Sequence, residues 1–441
     1  MKTDRRQECH FEDFIAGGGE FDIFHKIAEI DAALWASPQA CLDGLGVQLL
    51  GAATHSVEVK EADGQSHNVI MLGSNSYLSL TTHPAVVAAS KRACDKYGYG
   101  MGAVSLYAGT TDLHRELEVL IAQLYETEDA IIFPCGYSAN VGVISALCGP
   151  GDVVINDAAN HASIFDGCRL SGAEIKVFLH RNMKHLEKVL KRLPASQMGR
   201  LIITDGVFSM DGDVPPLDRM VELAKEYDAR LMIDDAHAVG VTGATGKGTA
   251  EQFGCVGKVD VTMGTLSKAP AAIGGYCAGS ASLVRYLRYY ARTYFFSTSL
   301  PAPVVAGLIE VFKLILADRA GRAELWNNIT YMLKGLKELG FDTGDTASAI
   351  IPIIVGDEEK LARFHNELRR RGVFTNLVTY PAVRRKECRV RVSMMNTLTR
   401  DEMDVALNIL AELGEKYGII PAPANTAGLS DEPELLKANV G

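Results

Sequence analysis

The chain has 441 residues, 47% of them hydrophobic and 22% charged, with a formal net charge of −10. That is long enough for a large core with a smaller satellite domain, and too acidic for a nucleic-acid binder, which needs a basic face. Its nine cysteines form no Cys-x-x-Cys pair and no His/Cys spacing of a metal site, so we expect no metal, no disulfide framework and a reducing compartment.

In chain order, Met1 to His10 lacks the apolar core of a signal peptide, which points to a cytoplasmic protein. Residues 1–68 are expected to form an N-terminal segment. It holds a helix over Phe21 to Leu34 and a short strand pair turning at Ala62-Asp-Gly64. Residues 69–325 alternate strand, turn and helix, with strands expected at Ala130–Phe133, Val153–Ile155, Ile175–Phe178, Leu201–Thr204, Leu231–Ile233 and Val259–Val261. Such alternation predicts a mostly parallel sheet covered by helices on both faces. A long helical stretch over about 301–339 follows. Residues 326–421, with Ile350–Val355, a helix over Glu358 to Arg371 and Arg389–Ser393, suggest a small C-terminal α+β domain. Residues 422–441 are expected to be a loosely attached tail. Pro303 to Ala317 is apolar but carries Glu310 and Lys313, and is too short and polar to span a bilayer.

Two short runs carry the chemistry. Arg230-Leu-Met-Ile-Asp-Asp-Ala-His237 is a buried strand ending in an acid, the place where open α/β sheets bind ligands. Thirty residues on, Val259 to Tyr276 delivers a Thr-x-x-Lys turn, Thr265 to Lys268, followed by small residues and paired glycines. A lysine held in a dry turn has a lowered pKa and can form a Schiff base. An acid such as Asp234 can keep a pyridine nitrogen protonated, the arrangement that pyridoxal phosphate enzymes use.

The chain resembles the α-oxoamine synthases, pyridoxal 5′-phosphate enzymes of fold type I, from about Phe21 to Ile420. The resemblance rests on Gly73-Ser-Asn-Ser-Tyr-Leu78, Asn160 to Gly167, Thr204 to Asp213, Asp234-Asp-Ala-His237, Gly264-Thr-Leu-Ser-Lys268 and Phe296-Ser-Thr-Ser-Leu-Pro301. It implies that Lys268 holds the cofactor and later moves the Cα proton, and that His161 lies over the pyridine ring. It also implies that Asp234 pairs with the ring nitrogen and His237 with the phenolic oxygen. Gly136 and Tyr137 bring close backbone at a helix start, where phosphate is favoured. By the same resemblance Ser209 and Thr265 bind the cofactor through hydroxyls. Ser297 and Thr298 reach the site of the neighbouring subunit of a homodimer with shared active sites. Arg391 grips the amino-acid carboxylate, with Asn75 near the substrate.

The implied reaction joins an α-amino acid to an acyl thioester, borne by coenzyme A or an acyl carrier protein, with loss of carbon dioxide. The run from Ser267 to Gly275 and the N-terminal Phe21-Asp-Ile-Phe24 resemble the serine palmitoyltransferase branch. Gly100-Met101 and Ile351 to Asp357 resemble 2-amino-3-ketobutyrate coenzyme A ligase, a glycine C-acetyltransferase, and 8-amino-7-oxononanoate synthase is a further alternative. A silent partner subunit is the reading from another class, and retention of Lys268, Asp234, His237, His161 and Arg391 argues against it. Val104, Ser105, Arg384 and Leu398 depart from the commonest family pattern and leave the amino acid and acyl chain open.

Overall fold

In the computed structural model, Phe24, Ile27 and residues 47–194, 198–317 and 319–421 are described. The helix expected at Phe21 to Leu34 and the tail at 422–441 therefore lie almost wholly outside the described residues. The first strands are β1 Gln48–Leu49, β2 Ser56–Lys60 and β3 Ser66–Met71. β2 and β3 form the expected antiparallel hairpin, with Gly64 at φ 86° in its turn, a backbone that an L side chain resists.

The chain then runs through α1 Pro84–Tyr97, α2 Asp112–Tyr125, β4 Asp129–Phe133 and α3 Gly136–Leu147. Next come β5 Val153–Asp157, α4 Ala162–Ser171, β6 Glu174–Phe178, α5 Met183–Lys191 and β7 Arg200–Asp205. After these follow α6 Leu217–Glu226, β8 Arg230–Asp234, α7 Thr249–Gln252, β9 Val261–Thr265 and β10 Gly275–Gly279.

These strands build a seven-stranded sheet in the order β4-β10-β9-β8-β7-β5-β6. The pairs β5·β6, β5·β7, β7·β8 and β8·β9 are parallel, whereas β10 runs antiparallel to both β4 and β9. The mostly parallel sheet is as expected from the alternation. β10 is the addition: Gly275-Tyr-Cys-Ala-Gly279 carries neither β-branched residues nor an alternating pattern, so nothing local marks it as a strand. Small residues suit its place, because a Cβ on Gly275 would come 2.8 Å from the Gly136 Cα.

Alternate residues of each strand enter different cores. Ile131, Phe133, Leu201, Ile203, Met232 and Met263 pack under α3 and α4. Val153, Ile155, Ile202, Leu231 and Ile233 pack under α5 and α6 on the opposite face. Both faces are thus dry, which is why these strands read as continuous apolar runs.

The remaining elements are α8 Ala281–Tyr290, α9 Arg292–Phe295, α10 Ala302–Ala317, α11 Ala320–Glu338, β11 Ile350–Ile354 and α12 Glu358–Arg370. They end with β12 Val373–Phe374, β13 Asn376–Val378, β14 Arg389–Ser393 and α13 Arg400–Lys416. The C-terminal sheet is ordered β11-β14-β13, and β12 joins the N-terminal hairpin by pairing parallel with β3. That single ladder carries the loop after β3 alongside the C-terminal sheet. No helix of the described residues is long and apolar enough to cross a membrane.

Candidate active site

The carboxyl ends of the parallel strands converge on one cleft. Asp157, Asp205, Asp234 and Thr265 are the last residues of β5, β7, β8 and β9. Asp205 and Asp234 are direct register partners. Three acids at adjacent strand ends would repel one another unless each is held or neutralised, and each has a different solution.

Asp234 is buried; its Oδ2 accepts from Asn140 Nδ2 at 2.7 Å and its Oδ1 from the Ala236 N–H at 2.9 Å. Neither partner is a cation, so the carboxylate is free to serve one. The adjacent Asp235 turns away, where it accepts the Thr249 N–H at 3.2 Å and burial lifts its pKa to about 7. Burial first, and Asp234 second, hold the Asp205 carboxyl well above the carboxylate range. Asp205 Oδ2 takes the His161 N–H at 3.2 Å, while its Oδ1 is buried with no hydrogen-bond partner among the described residues.

Lys268 follows β9 in the Leu266-Ser-Lys turn. Burial lowers its pKa to about 8, against the opposing pull of Asp234. With its pKa lowered this far, about a tenth of the amine is neutral at pH 7, far more than for an exposed lysine, and the neutral form is a nucleophile. His237 is buried three residues beyond Asp234, and its Nδ1 lies 2.7 Å from the Tyr77 hydroxyl. Burial, then the charge of Lys268, holds its pKa well below that of an ordinary histidine. His161 caps α4, with Nδ1 accepting from the Ser163 N–H at 3.3 Å. His161 is exposed, and its ring meets Tyr137 edge-on at 6.4 Å.

Phosphate chemistry fits the start of α3. The Gly136 and Tyr137 N–H groups have no protein acceptor among the described residues, as expected for the first turn of a helix. Thr265 closes on this turn, and a Cβ on Gly136 would come 2.9 Å from the Thr265 Oγ1. Thr265 Oγ1 also lies 2.8 Å from the Ser267 hydroxyl. The site therefore combines an anion cradle, a dry lysine and a buried carboxylate held only by neutral donors, which are the three contacts that pyridoxal phosphate requires. The residues fit the group.

Arg391 comes from the middle of β14, and it is 5% exposed. Its Nε donates to the Ser209 carbonyl at 2.6 Å and its Nη2 to Asn75 Oδ1 at 3.1 Å. Ser209 and Asn75, 182 and 316 positions away in sequence, thus share one guanidinium. Ser209 touches Arg391 through its backbone; its loop is further anchored by Arg389, which donates to the Met210 carbonyl at 3.2 Å. Ser297 and Thr298 make no hydrogen bond to Lys268 among the described residues. Thr298 instead pairs with Val104 in an isolated antiparallel bridge. Leu398 is buried and its carbonyl accepts from Asn328 Nδ2, whereas Arg384 is almost fully exposed.

Sequence reasoning passed over Tyr77, Asn140 and Asp205 as site residues. Each lies inside or beside a quoted motif, but a tyrosine, an asparagine and a strand-end aspartate look structural until their neighbours are known.

Comparison with known proteins agrees. The pattern of the family "Aminotransferase class I and II" matches residues 67–410. The chain is 43% identical over 365 residues to 8-amino-7-oxononanoate synthase 1 of Bacillus velezensis, covering 83% of this chain and 92% of that one. It is 41% identical over 412 residues to the 4-hydroxy-2,2′-bipyrrole-5-methanol synthase PigH of a Serratia species. That match covers 93% of this chain but only 62% of PigH, so the chain spans about three fifths of that longer protein. Among solved structures, a serine palmitoyltransferase from S. paucimobilis with a bound PLP–myriocin aldimine superposes with a TM-score of 0.85 at 32% identity. The match covers 91% of this chain and 100% of that one.

Proposed function

From the premise that this chain belongs to the class I and II aminotransferase family and, within it, to the pyridoxal phosphate-dependent α-oxoamine synthases, we propose a decarboxylative condensation of a small α-amino acid with an acyl thioester. The product is an α-aminoketone, and the activity is serine palmitoyltransferase-like. The observation that supports it most directly is the junction of two devices in one cleft. Lys268 and Asp234 stand at the sheet ends, and buried Arg391 of the C-terminal sheet, bonded to Asn75 of the loop after β3, faces them.

Pyridoxal phosphate supplies an electron sink that stabilises negative charge at the substrate Cα. Asp234 holds the ring-nitrogen proton, because a buried carboxylate bound only by neutral donors favours a cationic partner. Gly136, Tyr137 and Thr265 hold the phosphate, and His161 presents its ring face. Arg391 takes the amino-acid carboxylate with a planar fork, and Asn75 fixes the fork's angle. Lys268 receives the Cα proton; an amine near neutrality is poised for transfer in both directions. Burial of Arg391 and His237 keeps both side chains from bulk water.

The functional unit is a homodimer whose sites are shared. The resemblance assigns Ser297 and Thr298 to the neighbouring subunit's site, and exposed apolar side chains flank them, including Phe296 at 69% and Tyr107 at 76%. All seven described cysteines are free, which suits the cytoplasm. A second reading, 8-amino-7-oxononanoate synthase activity, is favoured by the 43% identity to the B. velezensis enzyme.

A matrix of amino acids against acyl thioesters, read by free thiol and carbon dioxide, tests the proposal. Thiol and carbon dioxide in equal amounts with serine and a long acyl chain support it. Best turnover with alanine and a dicarboxylic acyl thioester selects the second reading. Release of an oxoacid without carbon dioxide overturns both.

A further inference from the structure

Tyr77 is completely buried, in the loop after β3, yet its hydroxyl is not committed to the backbone. It stands between three polar groups. His237 Nδ1 is 2.7 Å away and Asn75 Oδ1 is 3.2 Å away. The Arg391 guanidinium faces the same oxygen while donating to Asn75 Oδ1 at 3.1 Å. A hydroxyl has one proton to give, so only one of His237 and Asn75 can receive it.

Geometry and basicity choose His237. The contact to Nδ1 is shorter by half an ångström than the contact to Asn75. Asn75 Oδ1 is already engaged by a cation, which weakens it as an acceptor for a second donor. Arg391 has donors only, so the Tyr77 oxygen must accept from it rather than donate to it. We propose that Tyr77 is a positioning residue that donates to His237 Nδ1, leaving Nε2–H as the histidine's only donor and linking it to the carboxylate-binding arginine. The inference rests on the roles given above to His237 and Arg391.

The protonation states are consistent with this chain of bonds. Burial raises the Tyr77 pKa to about 12, so the phenol keeps its proton through the neutral range. Burial keeps His237 neutral, which leaves one ring nitrogen able to accept. The alternative arrangement, His237 Nδ1–H to Tyr77 to Asn75, turns Nε2 into an acceptor. An acceptor there cannot stabilise an anionic phenolic oxygen, and it would set the Tyr77 proton on the longer contact.

The experiment is nitrogen-15 resonance spectroscopy of the full, cofactor-loaded chain labelled at histidine, with His237 assigned by the loss of its signals in His237→Gln. The expected wild-type result is a protonated Nε2 and an unprotonated Nδ1 displaced by an accepted hydrogen bond. Tyr77→Phe should move Nδ1 toward the unbonded imine position. Placing 3-fluorotyrosine at 77, which keeps the shape and strengthens the donor, should move it the opposite way. A protonated Nδ1 in the wild type overturns the inference without any variant, and so does an Nδ1 signal indifferent to both substitutions. A separate titration of amino acid into Arg391→Ala tests the carboxylate reading alone; if that reading fails, the tautomer result still stands.

Discussion

The two halves of the cleft are built on opposite plans. The centre of the cofactor half, Asp234, His237, Thr265 and Lys268, lies within 35 residues and at the ends of neighbouring strands, with Gly136, Tyr137 and His161 added from the starts of α3 and α4. The substrate half, Asn75, Tyr77, Ser209 and Arg391, is gathered from three distant stretches, through the β3·β12 ladder and β14. A sheet end offers acids, hydroxyls and a helix start at fixed spacing, so chemistry there is local. A specificity pocket built from separate elements can be changed one element at a time. The departures at Val104, Ser105, Arg384 and Leu398 fall outside the strand ends for that reason.

Substitutions can break this contrast. The largest effect belongs to Lys268→Ala, which should lower turnover by on the order of a thousandfold or more, since it removes both the covalent anchor and the base. Borohydride reduction and peptide mapping check the assignment, and a label on another lysine sinks it. Asp234→Asn retains shape and loses charge. It should slow Cα proton exchange by about a hundredfold, with cofactor loading changed much less. Exchange at the parental rate would remove Asp234 from its role.

In the substrate half, Arg391→Ala should weaken amino-acid affinity by roughly tenfold to a hundredfold, the worth of a charge-assisted two-pronged contact. Lysine at 391 should rescue only part of this, because a point charge lacks the fork. Thioester affinity should hardly move; an equal loss in both substrates would mean that the two halves are not separable.

The smallest effect probes the seam between the halves. His180 bridges Asp157 at 2.9 Å and Asp213 at 3.0 Å, tying the end of β5 to the loop that carries Ser209. Against the cost of its burial, hydrogen bonds to Asp157 and Asp213 raise its pKa to about 9. An unfolded histidine titrates near pH 6.5, so the folded state binds the extra proton between these values. The stabilisation is therefore complete below about pH 6.5 and is lost as pH rises through 9. Allowing for solvent screening, His180→Gln should cost on the order of 1–2 kcal/mol at pH 6 and little above pH 9, read by urea unfolding. A cost independent of pH would show that the bridge is not ionic.

The sequence by itself determined the parallel sheet, through apolar runs dry on both faces, and the cofactor half, through motifs whose residues are neighbours in chain and in space. It also marked Arg391 and Asn75, though only by resemblance. What tertiary structure decided was β10, whose small residues carry no strand signal and are explained only by the closeness of the Gly136 backbone. Above all it decided the role of Tyr77. A hydroxyl becomes a proton-positioning group only when a buried histidine and a guanidinium from residues 160 and more than 300 positions away close around it.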